Sequence, residues 1–130
     1  MRKYMFLGLI LSLFFLIACS AKTQSLKAFY ADEQIKNVDK IILTDGSTGS
    51  SKTITKPQQI NELLGLIRDI EFSPQDNQEK REGWRYSIAL YDGDKEFKFT
   101  LDKIGKTYYD TEPEIYPIIE DYYKKLEIKD

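Results

Sequence analysis

The sequence predicts an α+β domain of two layers, an antiparallel sheet with helices on one face, in the order ββ-α-βββ-α. Three observations carry this prediction. Residues 84–101 alternate apolar and polar side chains on either side of an Asp-Gly turn, the pattern of a hairpin buried on one face. Two further stretches, one after Pro57 and one after Pro117, repeat apolar residues at helical spacing, which gives each helix a single apolar stripe. A sheet with one apolar face and helices with one apolar stripe bury both by packing together.

The amino terminus is set apart from that domain. Residues 1–5, MRKYM, carry Arg2 and Lys3, and residues 6–17, FLGLILSLFFLI, form an apolar run. The run is too short for a transmembrane helix, which needs roughly twenty residues, and its length and basic flank suit the apolar region of a secretory signal. It ends in Leu16-Ile17-Ala18-Cys19, and Cys19 is the one cysteine of the chain. This sequence resembles the lipobox of bacterial lipoproteins. In that family a diacylglyceryl group is added to the cysteine thiol, and a type II signal peptidase cleaves just before the cysteine. The resemblance implies that Cys19 is the lipid attachment site and that residues 1–18 are removed. It also implies a place at the cell membrane, lipid-anchored on the extracytoplasmic face. Two acyl chains hold a protein stably in a membrane where one does so only marginally.

Removing residues 1–18 takes Arg2 and Lys3 from the 19 basic side chains and none of the 21 acidic ones. The mature chain then carries 17 against 21, a net charge of −4. Such a charge does not draw the domain onto an anionic membrane surface. Nor is there the clustered basic character of a nucleic-acid binder, so nucleic acid is not an expected partner.

Residues 19–37 read as a tether, with SAKTQS small and polar and LKAFYADEQIKN ambiguous between linker and short helix. The globular domain is expected over residues 38–130. VDKIILT predicts a first strand, DGSTGS a turn and KTITK a second strand. Pro57 suits a first helical position, and Ile60, Leu63, Leu64 and Ile67 continue a helix over 57–70. SPQDNQEKREG is polar and predicts a loop.

In the next stretch Trp84, Tyr86, Ile88 and Leu90 fall on one face, with Phe97, Phe99 and Leu101 opposite them. A loop at Asp92-Gly93 pairs Ile88 with Phe97. A loop at Gly93-Asp94 shifts the pairing by two and keeps every face. TYYD predicts a further strand. Ile118, Ile119, Tyr122, Tyr123 and Leu126 predict a last helix starting at Pro117, since a start at a Thr111–Glu114 capping box puts that proline inside the helix. Over the mature region, VDKIILTDGSTG, the helix after Pro57 and GWRYSIALYDGDKEFKF resemble small uncharacterised lipoproteins of low-GC Gram-positive bacteria. That resemblance implies location and fold but no activity.

The absence of His removes the commonest general base and metal ligand. With Cys19 committed to lipid, neither a Ser-His nor a Cys-His pair can form. Ser47, Ser50, Ser51 and Lys52 lie close together, but Gly, Ser and Thr are what a hairpin loop requires. Asp92, Asp94, Asp110, Glu112 and Glu114 offer carboxylates, yet Asp92 and Asp94 straddle a turn and lack the spacing of a calcium loop. No catalytic residue, metal or cofactor is expected.

A non-enzymatic binding module at the cell envelope is the leading expectation. Arg81, Trp84, Arg85, Tyr91 and Lys98 are its candidate partner-binding residues, because exposed Arg and Tyr beside Trp match the composition of binding surfaces. A protein or envelope component is the expected partner. The alternatives are a small carboxylate hydrolase of the envelope and a carrier holding an apolar ligand between sheet and helices.

Overall fold

The computed structural model describes residues 22–129, so the expected signal segment and Cys19 lie outside the described residues. The chain forms β1 (Gln24–Ser25), α1 (Leu26–Asp32), β2 (Lys40–Asp45), β3 (Ser51–Ile54), α2 (Pro57–Ile67) and β4 (Glu71–Pro74). It continues through β5 (Tyr86–Asp92), β6 (Lys95–Thr100), β7 (Lys103–Ile104), β8 (Thr107–Glu112) and α3 (Ile115–Lys129). The eight strands make one antiparallel sheet in the order β1-β4-β8-β7-β6-β5-β2-β3. The expected α+β class holds, with β1, α1, β4 and β7 added to the expected order.

The sheet buries one face. Ile41 and Leu43 of β2, Ile88 and Leu90 of β5, and Phe97 and Phe99 of β6 share one core with Leu26, Ile60, Leu63, Ile67 and Ile119 from the helices. The β5–β6 hairpin takes the Gly93-Asp94 loop, with Asp92 opposite Lys95, Leu90 opposite Phe97 and Ile88 opposite Phe99. The face assignment from alternation therefore stands, because a shift of two residues conserves it.

The boundary expected at Val38 moves to Gln24. Gln24 and Ser25 pair with Phe72 and Glu71, and α1 begins at once, its Ala28 N–H donating to the Ser25 hydroxyl at 3.2 Å. The N–H groups of Leu26 and Lys27, which a helix start leaves without an intrahelical acceptor, donate to the carbonyls of Ile70 and Arg68 at 2.9 Å each. Leu26, Tyr30 and Ile35 are buried. Residues 24–37 thus belong to the domain rather than to the expected tether.

Helix α3 starts two residues earlier than expected. Pro117 is its third residue, where its missing N–H is one that no helical carbonyl would have received. The Thr111 hydroxyl accepts from the Ile115 N–H at 3.1 Å, so this threonine does serve the helix start.

Candidate functional site

The five residues expected to form one partner-binding face fall in three places. Tyr91 and Lys98 lie on the sheet face away from the helices. There Tyr91 is opposite both Lys40 and Glu96, takes the Lys40 ammonium 4.4 Å from its ring centre and bonds to the Glu96 carboxylate. Arg81 is in the 75–85 loop. Its guanidinium lies 4.5 Å from the Tyr108 ring centre and donates to the Gln75 side chain at 2.7 Å and the Asn77 carbonyl at 2.9 Å. Gln78 clasps the same strand, accepting from the Tyr108 N–H at 2.8 Å and donating to its carbonyl at 2.9 Å. Arg81 therefore helps to fasten the loop to β8.

Trp84 and Arg85 form the third group. The sequence places Trp84 on the core face, but Trp84 is 45% exposed. The strand ladder starts at Tyr86, so the alternation that fixes faces inside β5 does not extend back to residue 84. Instead the Trp84 indole and carbonyl lie against Gly46, close enough that a Cβ there would clash. The Gly46 N–H donates to the Arg85 carbonyl at 2.6 Å.

Arg85 points toward α3. Its Nε donates to the Tyr116 hydroxyl at 3.2 Å, and that hydroxyl donates to the Glu120 carboxylate at 2.6 Å. Its other nitrogens lie 4.0 Å from Asp45 Oδ1 and 3.8 Å from Glu120 Oε2. The guanidinium also sits 5.4 Å from the Tyr86 ring centre. Asp45 is itself held, accepting from the Ser47 N–H at 2.8 Å and the Ser47 hydroxyl at 2.7 Å. Those hydrogen bonds hold the Asp45 carboxyl below its ordinary range, with Arg85 acting in the same direction. The bond from Tyr116 does the same for Glu120, and the contact with Tyr116 raises Arg85 above its ordinary value. Each effect favours the charged form, so the patch carries one guanidinium fixed between two ionised carboxylates.

Tyr116 is 39% exposed. Together with Trp84 and Leu66 it is one of three exposed large apolar side chains among the described residues. Two of the three therefore adjoin Arg85, Trp84 as its chain neighbour and Tyr116 through its hydroxyl. Trp84 and Arg85 are legible in the sequence as binding candidates. Tyr116 is not, because only the docking of α3 brings it to residue 85, 31 positions away.

Two open grooves adjoin this patch. One, of about 530 Å³, is lined by Asp102, Asp110, Glu112 and Glu114 together with Tyr109 and Tyr116. The other, of about 380 Å³, is lined by Arg81, Trp84, Lys103 and Tyr108 among others, and Asp102 borders both. All four carboxylates of the first groove are exposed. General acid catalysis by a carboxyl group relies on burial or a paired carboxylate to keep it protonated. Among the described residues no group of three or more acids, His or Cys is arranged to hold a metal ion, and no helix is long and apolar enough to cross a membrane. Compared with known protein families, curated proteins and solved structures, the chain matches none.

Proposed function

We propose that this chain is a non-enzymatic binding protein of the cell envelope, anchored by lipid on Cys19, that grips a protein or envelope component through Trp84, Arg85 and Tyr116. One observation carries the reading: exposed Trp84 directly precedes Arg85 in the chain, and the Arg85 guanidinium is fixed by exposed Tyr116 together with Asp45 and Glu120. Trp, Tyr and Arg are the side chains that most often dominate binding energy. A guanidinium already held in place loses little freedom on association, so more of the contact energy remains as affinity. The earlier set of five narrows to Trp84 and Arg85, joined by Tyr116.

A photoreactive side chain at position 84, with position 66 as the control, tests this in intact cells. The expected result is a defined adduct from position 84 and none from position 66. Trp84→Ala is expected to reduce capture at least tenfold while leaving the folded signal intact. Equal adducts from both positions would remove the assignment. The anchor is tested separately by Cys19→Ala and cell fractionation, where unchanged membrane retention and unchanged mobility would remove it.

A carboxylate hydrolase draws support from the acidic groove, with its four carboxylates, but their exposure works against it. A carrier holding an apolar ligand under α3 fits less well, because Ile119, Tyr122 and Tyr123 fill the space between α3 and the sheet.

A further inference from the structure

A third cavity, of about 500 Å³, opens between α1 and α2, away from the aromatic patch, and is lined by Lys27, Tyr30, Ile35, Lys36, Leu64 and Arg68 with Ala31 and Asn61. Three cations line it and no acid does, although the mature chain as a whole is acidic. Tyr30 and Ile35 are buried and Leu64 half-buried, so an apolar floor lies beneath an exposed cationic rim.

The rim is built on fixed backbone. The Lys27 N–H donates to the Arg68 carbonyl at 2.9 Å, which ties the start of α1 to the end of α2. The chain turns back at Gln34, whose φ is 63°, and the Ile35 N–H returns to the Tyr30 carbonyl at 3.0 Å. The N–H groups of Lys36 and Asn37 both donate to Asp92 Oδ2, at 2.8 and 3.1 Å. Asp92 therefore secures the Lys36 loop from outside the cavity lining. Among the described residues, Lys27 and Lys36 form no ion pair, and Arg68 has one long contact of 3.9 Å with the exposed Asp69. Asp69 and Asp92 lie near Arg68 and Lys36 but not in the cavity lining, and cations converging on a concave site attract an anion and focus its approach. Guanidinium and ammonium groups together suit the several oxygens of a phosphate.

We propose that this cavity binds the phosphate of an anionic amphiphile, the phosphate on Lys27, Lys36 and Arg68 and the adjoining apolar part on Tyr30, Ile35 and Leu64. The source favoured is the membrane's own anionic phospholipid, a preference that rests on lipid attachment at Cys19. Five residues at roughly 3.5 Å each allow about 17 Å between Cys19 and Gln24, and Lys27 lies one turn into the domain. The headgroup layer is then within reach of the cavity.

The test uses the full chain in a neutral detergent, titrated with dihexanoylphosphatidylglycerol, dihexanoylphosphatidylcholine and inorganic phosphate in parallel. Amide chemical shifts at Lys27, Lys36 and Arg68 are the readout. Saturable shifts with phosphatidylglycerol are expected, with affinity at least tenfold above both other probes. Lys27→Gln with Arg68→Gln, both exposed positions, is expected to weaken binding at least tenfold while the remaining spectrum stays folded. Equal affinity for phosphatidylcholine would overturn the role of the cations. Equal affinity for inorganic phosphate would overturn the lipid assignment in favour of a free phosphate. No saturation with any probe would overturn the site. Cys19→Ser is expected to bind as the parent chain does, so the cavity is read independently of whether that variant leaves the membrane.

Discussion

Replacing Gly46 with alanine places a Cβ 2.0 Å from the Trp84 carbonyl oxygen and 2.7 Å from Cε3 of its indole. Contacts below 3.0 Å are not tolerated, so the Trp84 backbone must retreat by about 1 Å or the β2–β3 turn must lift. Trp84 cannot swing its ring aside to solve this, because the nearest atom is backbone. Overpacking of this kind costs roughly 1–3 kcal/mol. The 2.6 Å hydrogen bond from Gly46 to the Arg85 carbonyl is weakened by the same displacement, adding about 1 kcal/mol.

The combined loss is about 2–4 kcal/mol, and at roughly 4 °C per kcal/mol or more for a domain near 100 residues the melting temperature drops by at least about 8 °C. Gly49→Ala in the same turn is the control. Gly49 has φ 77° and open space around its Cα, so alanine there costs only the left-handed backbone, about 1–2 kcal/mol. Thermal and urea unfolding of both variants compare the two, and partner capture by Gly46→Ala should fall because Trp84 and Arg85 move. A Gly46→Ala chain as stable as Gly49→Ala would refute the close approach of Trp84 to this turn.

Leu26→Ala is expected to cost about 2–5 kcal/mol, since Leu26 is fully buried, and Ser25→Ala about 1 kcal/mol through its helix cap; urea midpoints that do not move would return residues 24–32 to the tether. Asp45, Asp92 and Glu120 are all held below their ordinary values by hydrogen bonds, so the unfolded chain takes up their protons first as pH falls. Their stabilisation is present above about pH 5 and is lost as pH drops through the carboxylate range toward the lower folded values. Urea midpoints measured from pH 6 to pH 2 should therefore fall, and Asp45→Asn should flatten the slope; an unchanged slope counts against the Ser47 bonds. Lys125 meets Glu62 at 2.8 Å across α2 and α3, with side chains 53% and 42% exposed. Lys125→Met should cost less than about 1 kcal/mol, and a larger loss in denaturant titration would assign that pair a structural weight its exposure does not allow.

Local pattern was enough for the β5–β6 hairpin and for α2. In the hairpin, side-chain alternation and turn residues act within a few positions of each other, and either possible loop gives the same buried face. In α2, Pro57 and the Ile60, Leu63, Ile67 stripe identify both the start and the buried side. The apolar run ending at Cys19, the absence of His and the acidic balance are likewise properties of the chain that no packing alters.

What needed tertiary structure was every feature whose partner is remote. Gln24 and Ser25 become a strand only because Phe72 and Glu71 lie alongside, and a two-residue strand has no periodicity to read. Trp84 lies outside the core because the paired ladder of β5 begins at Tyr86, and alternation specifies a face only where a ladder holds the backbone extended. Tyr116 reaches Arg85, and Lys36 reaches the cavity beside Lys27 and Arg68, through helix docking and loop closure. Binding surfaces are assembled by such long-range closures, whose entropy cost is met by the buried core as a whole, so the sequence determined the elements and their buried sides while the packed fold alone decided which exposed side chains stand together.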